Sequence, residues 1–326
     1  MRTLVTGGAG FIGSHLAEAL LAAGHHVTIL DDLSTGRVEN LQAIQGHPQC
    51  VLQVGSVTDE GLVRKLVEDA ELVYHLAAAV GVRLILDRPV ETIETNIMGA
   101  DTVLRAAAGR TAGPARVFLA STSEVYGKND RAPLAEDDDR ILGPTTKSRW
   151  SYACSKAIDE FLALAYHRER QLPVVILRFF NTVGPRQTGR YGMVVPRFVR
   201  QALDGSPITV YGDGAQSRCF TDVEDAVRVT VALSVRPEAI GQVFNVGTSH
   251  EVTILELAQR VKALAGSGSP IVHVSYDEAY QPGFEDMRRR VPDIGKAARA
   301  VGYAPRISLD ETLRRVIRFL RETGRG

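Results

Sequence analysis

Charge of one sign does not accumulate in this chain: 38 lysines and arginines face 38 aspartates and glutamates, for a formal net charge of zero. A balanced chain carries no general field for nucleic acid or an anionic membrane. Neither is an expected partner, and an anionic ligand must be met by a few placed cations. Cysteine occurs three times, as Cys50, Cys154 and Cys219. An odd count without close spacing argues against a disulfide framework and against a metal cage. The eight histidines, His25-His26 among them, show no ligand spacing either, so no metal is expected. Long apolar runs are also missing. None reaches bilayer length, and the opening Met-Arg-Thr-Leu-Val-Thr-Gly-Gly breaks into glycines before a signal-peptide core could form. The expectation is a cytoplasmic protein.

What is present is enough apolar side chain, 44% of 326 residues, to bury a large core in one big or two intimate domains. Short buried-type strands are read at Arg2–Thr6, His26–Asp31, Cys50–Gln53, Leu72–Leu76, Val117–Ala120 and Val174–Phe179. Helical patterns lie between them, at Phe11–Ala23, Glu60–Val67, Val90–Ala108 and Ser151–Arg170. Alternation of this kind predicts an α/β fold, a doubly wound parallel sheet covered on both faces. After Asn181 glycines punctuate shorter elements, which predicts a smaller, loop-rich α/β substrate lobe. The expected division is 1–180 for a dinucleotide-binding domain, with 223–247 returning to it, and 181–326 mainly for the second lobe.

Gly7-Gly8-Ala9-Gly10-Phe11-Ile12-Gly13 places glycines at 7, 10 and 13 between a strand and a helix. Those positions serve a tight turn, a close backbone approach to a pyrophosphate, and close helix–strand packing, and the helix N-terminus offers its N–H groups to phosphate. A glycine loop alone is common by chance. Asp31, about 20 residues further on at the end of the second strand, raises its value, because a carboxylate there accepts ribose hydroxyls. It also repels a 2′-phosphate, and no basic residue adjoins it before Arg37, which favours NAD over NADP. Asp32 is assigned to the turn.

Tyr152-Ala-Cys-Ser-Lys156 puts a tyrosine and a lysine one helical turn apart on the same face. A free tyrosine titrates near ~10. A nearby ammonium and a positive nicotinamide would favour its phenolate and make it a usable base. Taken alone, a surface Tyr and Lys on an amphipathic helix explain the spacing equally well. Ser121-Thr122-Ser123-Glu124-Val125-Tyr126-Gly127 supplies hydroxyls and a carboxylate at the carboxyl end of the fifth strand, where ligands of doubly wound sheets sit. Turn chemistry explains Ser and Thr there too. The pieces occurring together, in this order, carry the functional reading.

With these segments the chain resembles the extended short-chain dehydrogenase/reductases, the nucleotide-sugar epimerases, dehydratases and decarboxylases. The likeness also covers His75-Leu-Ala-Ala78, Arg178-Phe-Phe-Asn181, Gly184-Pro185-Arg186 and Val210-Tyr-Gly-Asp213, nearly the whole chain. It implies NAD bound by Gly7, Gly10, Phe11, Ile12, Gly13, Asp31, Ser34, Thr35, Gly36, Ser56, Val57, Leu76, Ala77, Ala78, Asn96, Tyr152 and Lys156. Ser56 is a departure, since many members carry aspartate there, near the adenine. The resemblance further implies a UDP-sugar held by Ser123, Asn181, Arg186, Val195, Tyr211, Arg218 and Arg290. Arginine forks suit a diphosphate.

The family's shared step moves a hydride from sugar C4 to NAD; decarboxylation, 4-epimerisation or 4,6-dehydration follows. Thr122-Ser-Glu124 and Arg288-Arg-Arg-Val-Pro-Asp293 resemble segments of UDP-glucuronate decarboxylases, as does Gly143-Pro144 with Lys147-Ser-Arg149-Trp150. The implied catalytic set is Thr122, Glu124, Tyr152, Lys156 and Arg290, with Glu124 and Arg290 handling the carboxylate and reprotonation at C5. The expected reaction is conversion of UDP-glucuronic acid to UDP-xylose. A UDP-sugar 4-epimerase is the alternative; a 4,6-dehydratase and a non-catalytic NAD-binding regulator follow. A homodimer through a helix bundle built from the 90–108 and 151–170 helices is also implied.

Overall fold

The computed structural model describes residues 1–81, 87–189, 192–275, 278 and 287–324. Seven parallel strands form the main sheet: β1 (Arg2–Thr6), β2 (His26–Asp31), β3 (Cys50–Val54), β4 (Leu72–His75), β5 (Arg116–Thr122), β6 (Val174–Phe179) and β7 (Gln242–Val246). Their order is β7-β6-β5-β4-β1-β2-β3. Period-two alternation sorts neighbouring side chains to opposite faces. Leu4, Leu30, Val73, Leu119 and Ile176 enter one core, and Val5, Ile29, Tyr74, Phe118 and Leu177 the other. The first is covered by α2 (Glu60–Glu68), α3 (Pro89–Ala108) and α4 (Arg149–Arg170), through Val63, Val103 and Ala163. Leu16 on α1 (Phe11–Ala22) and Val227 on a helix at Val223–Ser234 cover the second. With both faces packed, the strands need no polar alternation, which is why they read as near-continuous apolar runs.

A third core lies outside the sheet. Val195, Phe198 and Val199 on α5 (Val194–Leu203) pack with Leu257 and Val261 on α7 (Ile254–Ala265) and with Leu313 and Ile317 on α9 (Leu309–Thr323). The helix at Val223–Ser234 is α6, and a short helix at Gly295–Val301 is α8. Three two-stranded sheets edge this lobe: Ile208–Tyr211 with Ile271–Val274 in parallel, Ser217–Cys219 with Glu251–Thr253 antiparallel, and Thr182–Val183 with Thr221–Asp222 in parallel. The part expected to be loop-rich thus holds brief paired strands.

β1 lies between β4 and β2, so the connections leaving these strands diverge to opposite sides, and a crevice opens outside their carboxyl ends. A cavity of about 920 Å³ occupies it, bounded on the far side by the small lobe. Among the described residues no helix is long and apolar enough to cross a membrane, and no cluster of side chains could hold a metal ion.

Candidate active site

The glycine loop is shaped by contacts that only glycine permits. Gly7 has φ +70°, and a Cβ there would lie 2.7 Å from the Ala77 amide nitrogen. A Cβ on Gly13 would run into the Gly7 carbonyl oxygen. Nothing from a side chain caps α1, so its first-turn N–H groups, on Phe11, Ile12 and Gly13, point at the cavity those residues line. Asp31, at the end of β2, accepts bonds from the Ala9 and Leu33 amides, each at 2.9 Å. Burial pushes its carboxyl above the usual range, with those two amides pulling the other way. Gly36 does not line the cavity. A Cβ on it would sit 2.6 Å from Asp31 Oδ1, so its role is to let the chain pass close to that carboxylate. Asp32 accepts from Ser34 N and Oγ and closes the turn.

Tyr152 and Lys156 lie in the first two turns of α4, both buried and both lining the cavity. Tyr152 hydrogen-bonds to Thr122, at the end of β5. Burial, then the charges of Glu124 and Asp159, push the phenol well above its ordinary value, with the Thr122 bond opposing them. Lys156 donates to Asp159 Oδ2 at 2.8 Å, inside the protein. His75 ends β4 behind the lysine. Burial, then the Lys156 charge, bring its pKa down to about 3, and it shares a 2.8 Å bond with Thr6 Oγ1.

Glu124 is the most strongly organised acid in the cavity. Arg290 Nη2 lies 2.8 Å from its Oε1, and Arg149 Nη2 lies 3.4 Å from its Oε2. Arg290 also donates to Ser123 Oγ at 3.1 Å. Burial alone would raise the Glu124 carboxyl, but Arg290 and then Arg149 outweigh it, with Arg218 further off, and bring it down to about 2. Of the Arg288–Arg290 run only Arg290 turns inward; Arg288 is exposed and Arg289 pairs with Glu251 at the surface. The inward turn is set by backbone. The segment beyond Arg290 pairs with Leu134 (Leu134 N to Val291 O, 2.7 Å; Asp293 N to Leu134 O, 2.8 Å), and Asn245 Nδ2 donates to Asp293 O.

Most residues named from sequence meet in this one cavity, among them Asn181, Val195, Tyr211 and Arg218 from the second lobe. Three others besides Gly36 do not line it. Ser56 bonds the Thr58 hydroxyl at 2.8 Å and forms a local turn. Asn96 is buried behind the wall, accepting from Ala79 N at 2.8 Å and so bracing the loop after β4. Arg186 lies along α1 instead, paired with Glu18 at 2.6 Å and bonded to Ser14; its φ of +72° sends the side chain there. Three cavity-lining arginines went unassigned in the sequence, Arg88, Arg149 and Arg197. Arg197 stacks over Tyr211, 4.0 Å from the ring centre. Arg149 stands inside the segment quoted for its resemblance, so a signal existed; nothing in spacing signals Arg197.

A family model described as GDP-mannose 4,6 dehydratase matches residues 4–316. The chain belongs to that family. Among its relatives, a UDP-N-acetyl-alpha-D-glucosaminuronate decarboxylase of Bacillus cytotoxicus is 43% identical, over 98% of each chain. UDP-glucuronic acid decarboxylase 1 of Xenopus tropicalis is 36% identical over 98% of this chain and 72% of its own length. The solved UDP-glucuronic acid 4-epimerase of Bacillus cereus, in complex with UDP-glucuronic acid and NAD, superposes with a TM-score of 0.88 at 31% identity, over 99% of both chains. The dehydratase family's seven-stranded parallel sheet with flanking helices is the fold described above. A dinucleotide suits what this member presents: an uncapped helix start for a pyrophosphate, a glycine cradle that a Cβ would fill, and a carboxylate at the end of β2 for a ribose.

Proposed function

We propose that this chain is an NAD-dependent decarboxylase of a UDP-uronic acid, converting UDP-glucuronic acid to UDP-xylose through a 4-keto sugar. The observation that carries the reading is Glu124 held between Arg149 and Arg290, on the cavity wall beside Tyr152. The two decarboxylase relatives support it. NAD, held by the glycine loop and Asp31, would supply a reversible hydride acceptor for sugar C4, so none would be consumed overall. Tyr152 takes the O4 proton; burial and the Glu124 and Asp159 charges raise its phenol in the free protein, and the positive nicotinamide of bound NAD together with Lys156 would favour its phenolate. A ketone at C4 makes the C6 carboxylate part of a β-keto acid. Its C5–C6 bond breaks to release carbon dioxide and leaves the electron pair as an enolate over C5, C4 and O4. Thr122 and Tyr152 hydrogen-bond that oxygen. With a pKa of about 2, Glu124 is an acceptor and no store of protons; it and Arg290 orient the water that protonates C5, and the hydroxide left behind is neutralised by solvent or by the carbon dioxide released. Tyr152 then returns its proton to O4.

Purified protein given NAD and UDP-glucuronic acid is expected to release carbon dioxide, with UDP-xylose as the product by NMR. UDP-N-acetylglucosaminuronic acid is run beside it, because the Bacillus cytotoxicus relative is named for that sugar. UDP-galacturonic acid without gas would replace the decarboxylase by the 4-epimerase alternative, which the likeness to the Bacillus cereus enzyme keeps in view.

In the same reading residues 1–180, with 223–247, hold the dinucleotide and 181–326 mainly hold the UDP-sugar. Asp31→Asn keeps the carboxylate's shape and removes its charge. NAD affinity is expected to fall about tenfold, the order of one charged hydrogen bond; unchanged affinity by titration calorimetry would remove Asp31 from the ribose site. The protein pairs with a second copy through α3 and α4. Val90 (66% exposed), Met98 (55%), Ile158 (46%) and Phe161 (60%) on these helices leave more apolar surface in water than packing onto the sheet requires.

A further inference from the structure

We propose that Asp159 is a positioning residue for the Tyr152–Lys156 pair: it anchors the Lys156 ammonium at the cavity wall and offsets part of its charge, so that Tyr152 stays a strong base once NAD is bound. The proposal rests on the reading of Tyr152 as the base. Asp159 does not line the cavity, and it acts through the lysine that does. It stands three residues beyond Lys156 on α4, and Tyr152, Lys156 and Asp159, at i, i+4 and i+7, share one helix face.

Stability alone does not account for this aspartate. Its side chain is fully buried and that of Lys156 is 3% exposed. Oδ2 accepts from Lys156 Nζ at 2.8 Å, but Oδ1 is buried with no hydrogen-bond partner among the described residues. A carboxylate so placed loses its hydration for one ion pair, and apolar side chains of the same volume would hold α4 at least as well. The neighbouring Glu160 shows what a fully supported carboxylate looks like here: Arg178 takes both of its oxygens and Ser121 donates to one.

The charges around the helix give Asp159 a different use. With NAD bound, Tyr152 would face two positive groups, the nicotinamide and the ammonium. Both favour the phenolate, and a phenolate made too stable is a weak base. Two carboxylates oppose them and, after burial, raise the phenol: Glu124, just past β5, and Asp159. Glu124 is held by Arg290 and Arg149, with Arg218 further off. Asp159 is held by Lys156 itself. Burial lifts its carboxyl, Lys156 draws it back, and Glu160 adds to the lift. The other titratable groups packed on α4 are engaged elsewhere. His75, from β4, is neutral with a pKa of about 3. Arg178, from β6, is taken by Glu160. Asp101 and Arg105, from α3, lie by Tyr166 toward the far end of α4.

The test is NMR of labelled tyrosine Cζ in NAD-loaded protein without substrate, with Tyr152→Phe assigning the Tyr152 signal. Asp159→Asn keeps an acceptor for Lys156 and removes the charge. It should lower the midpoint of the Tyr152 titration by about one pH unit, the order expected of a unit charge roughly 10 Å away along a helix. The pH midpoint of single-turnover NADH formation should move down with it. Asp159→Glu keeps the charge and should leave both midpoints within a few tenths of a unit. Asp159→Ala carries the test if the Asn variant does not fold. A midpoint that stays or rises in the charge-free variant overturns the proposal and leaves Asp159 a structural residue. A wild-type Tyr152 that remains a phenol throughout the stable pH range overturns it together with the base. Because the NMR midpoint is read without substrate, a lowered midpoint in a protein that turns over no sugar supports Asp159 and sinks the decarboxylase alone.

Discussion

Tyr152→Phe is expected to lower turnover by about 10²- to 10⁴-fold, the usual worth of a positioned general base, while NAD still binds. The size follows from the lack of a substitute. Glu124 has its pKa drawn down to about 2 by two arginines and is too weak a base. His75, near 3, is turned toward Thr6. The Thr122 hydroxyl is the partner of the phenol and a far poorer proton acceptor. Removing one oxygen therefore takes away the only nearby group suited to accepting the O4 proton among those described, without changing the volume that packs against α4. Single-turnover formation of NADH at 340 nm, set beside NAD affinity, checks both halves. Retention of more than a tenth of the activity would move the base elsewhere.

Glu160→Ala is expected to destabilise the fold by about 3–5 kcal/mol, the cost of leaving a buried ion without its partner. Arg178, on β6, donates through Nε and Nη2 to the two oxygens of Glu160 on α4, at 2.9 and 2.7 Å, and both side chains are 8% exposed. Its Nη1 donates to the Tyr126 hydroxyl and to the Glu136 carbonyl. Tyr126 donates to Asn245 on β7, and Asn245 donates onward to Leu134 and Asp293. One guanidinium thus joins two strands, a helix and the segment that carries Arg290. The paired replacement Glu160→Leu with Arg178→Met should cost much less than Glu160→Ala, because no orphan charge remains. Urea unfolding of the three proteins measures this; a loss under 1 kcal/mol for the single variant would show the pair to be incidental.

Most of the large sheet was readable because its strands are short apolar runs that alternate with helix patterns, and Gly7–Gly13 with Asp31 is a local arrangement that spacing alone describes. Tyr152 and Lys156 were readable for the same reason, as neighbours on one helix. What spacing does not carry is the direction of a long side chain. Arg186, Arg218 and Arg290 look alike in the sequence, yet Arg186 is taken by Glu18 on α1 while the other two line the cavity. Arg149 meets a carboxylate on another element, a pairing that only the packing of α4 against the end of β5 creates. The small lobe was read as loops because strands such as Thr182–Val183 are too short to show any alternation.

The path of the backbone between the cores has a mechanical side. After β6 the chain enters the small lobe, returns for α6 and β7, leaves for α7, and returns again for α8 before ending in α9. The two halves are laced, not hung from one hinge. A single protease nick in any connecting strap leaves pieces that stay threaded together until they are denatured. A fragment that stops at residue 180 would bare β6, the strand bearing Arg178, as a raw sheet edge.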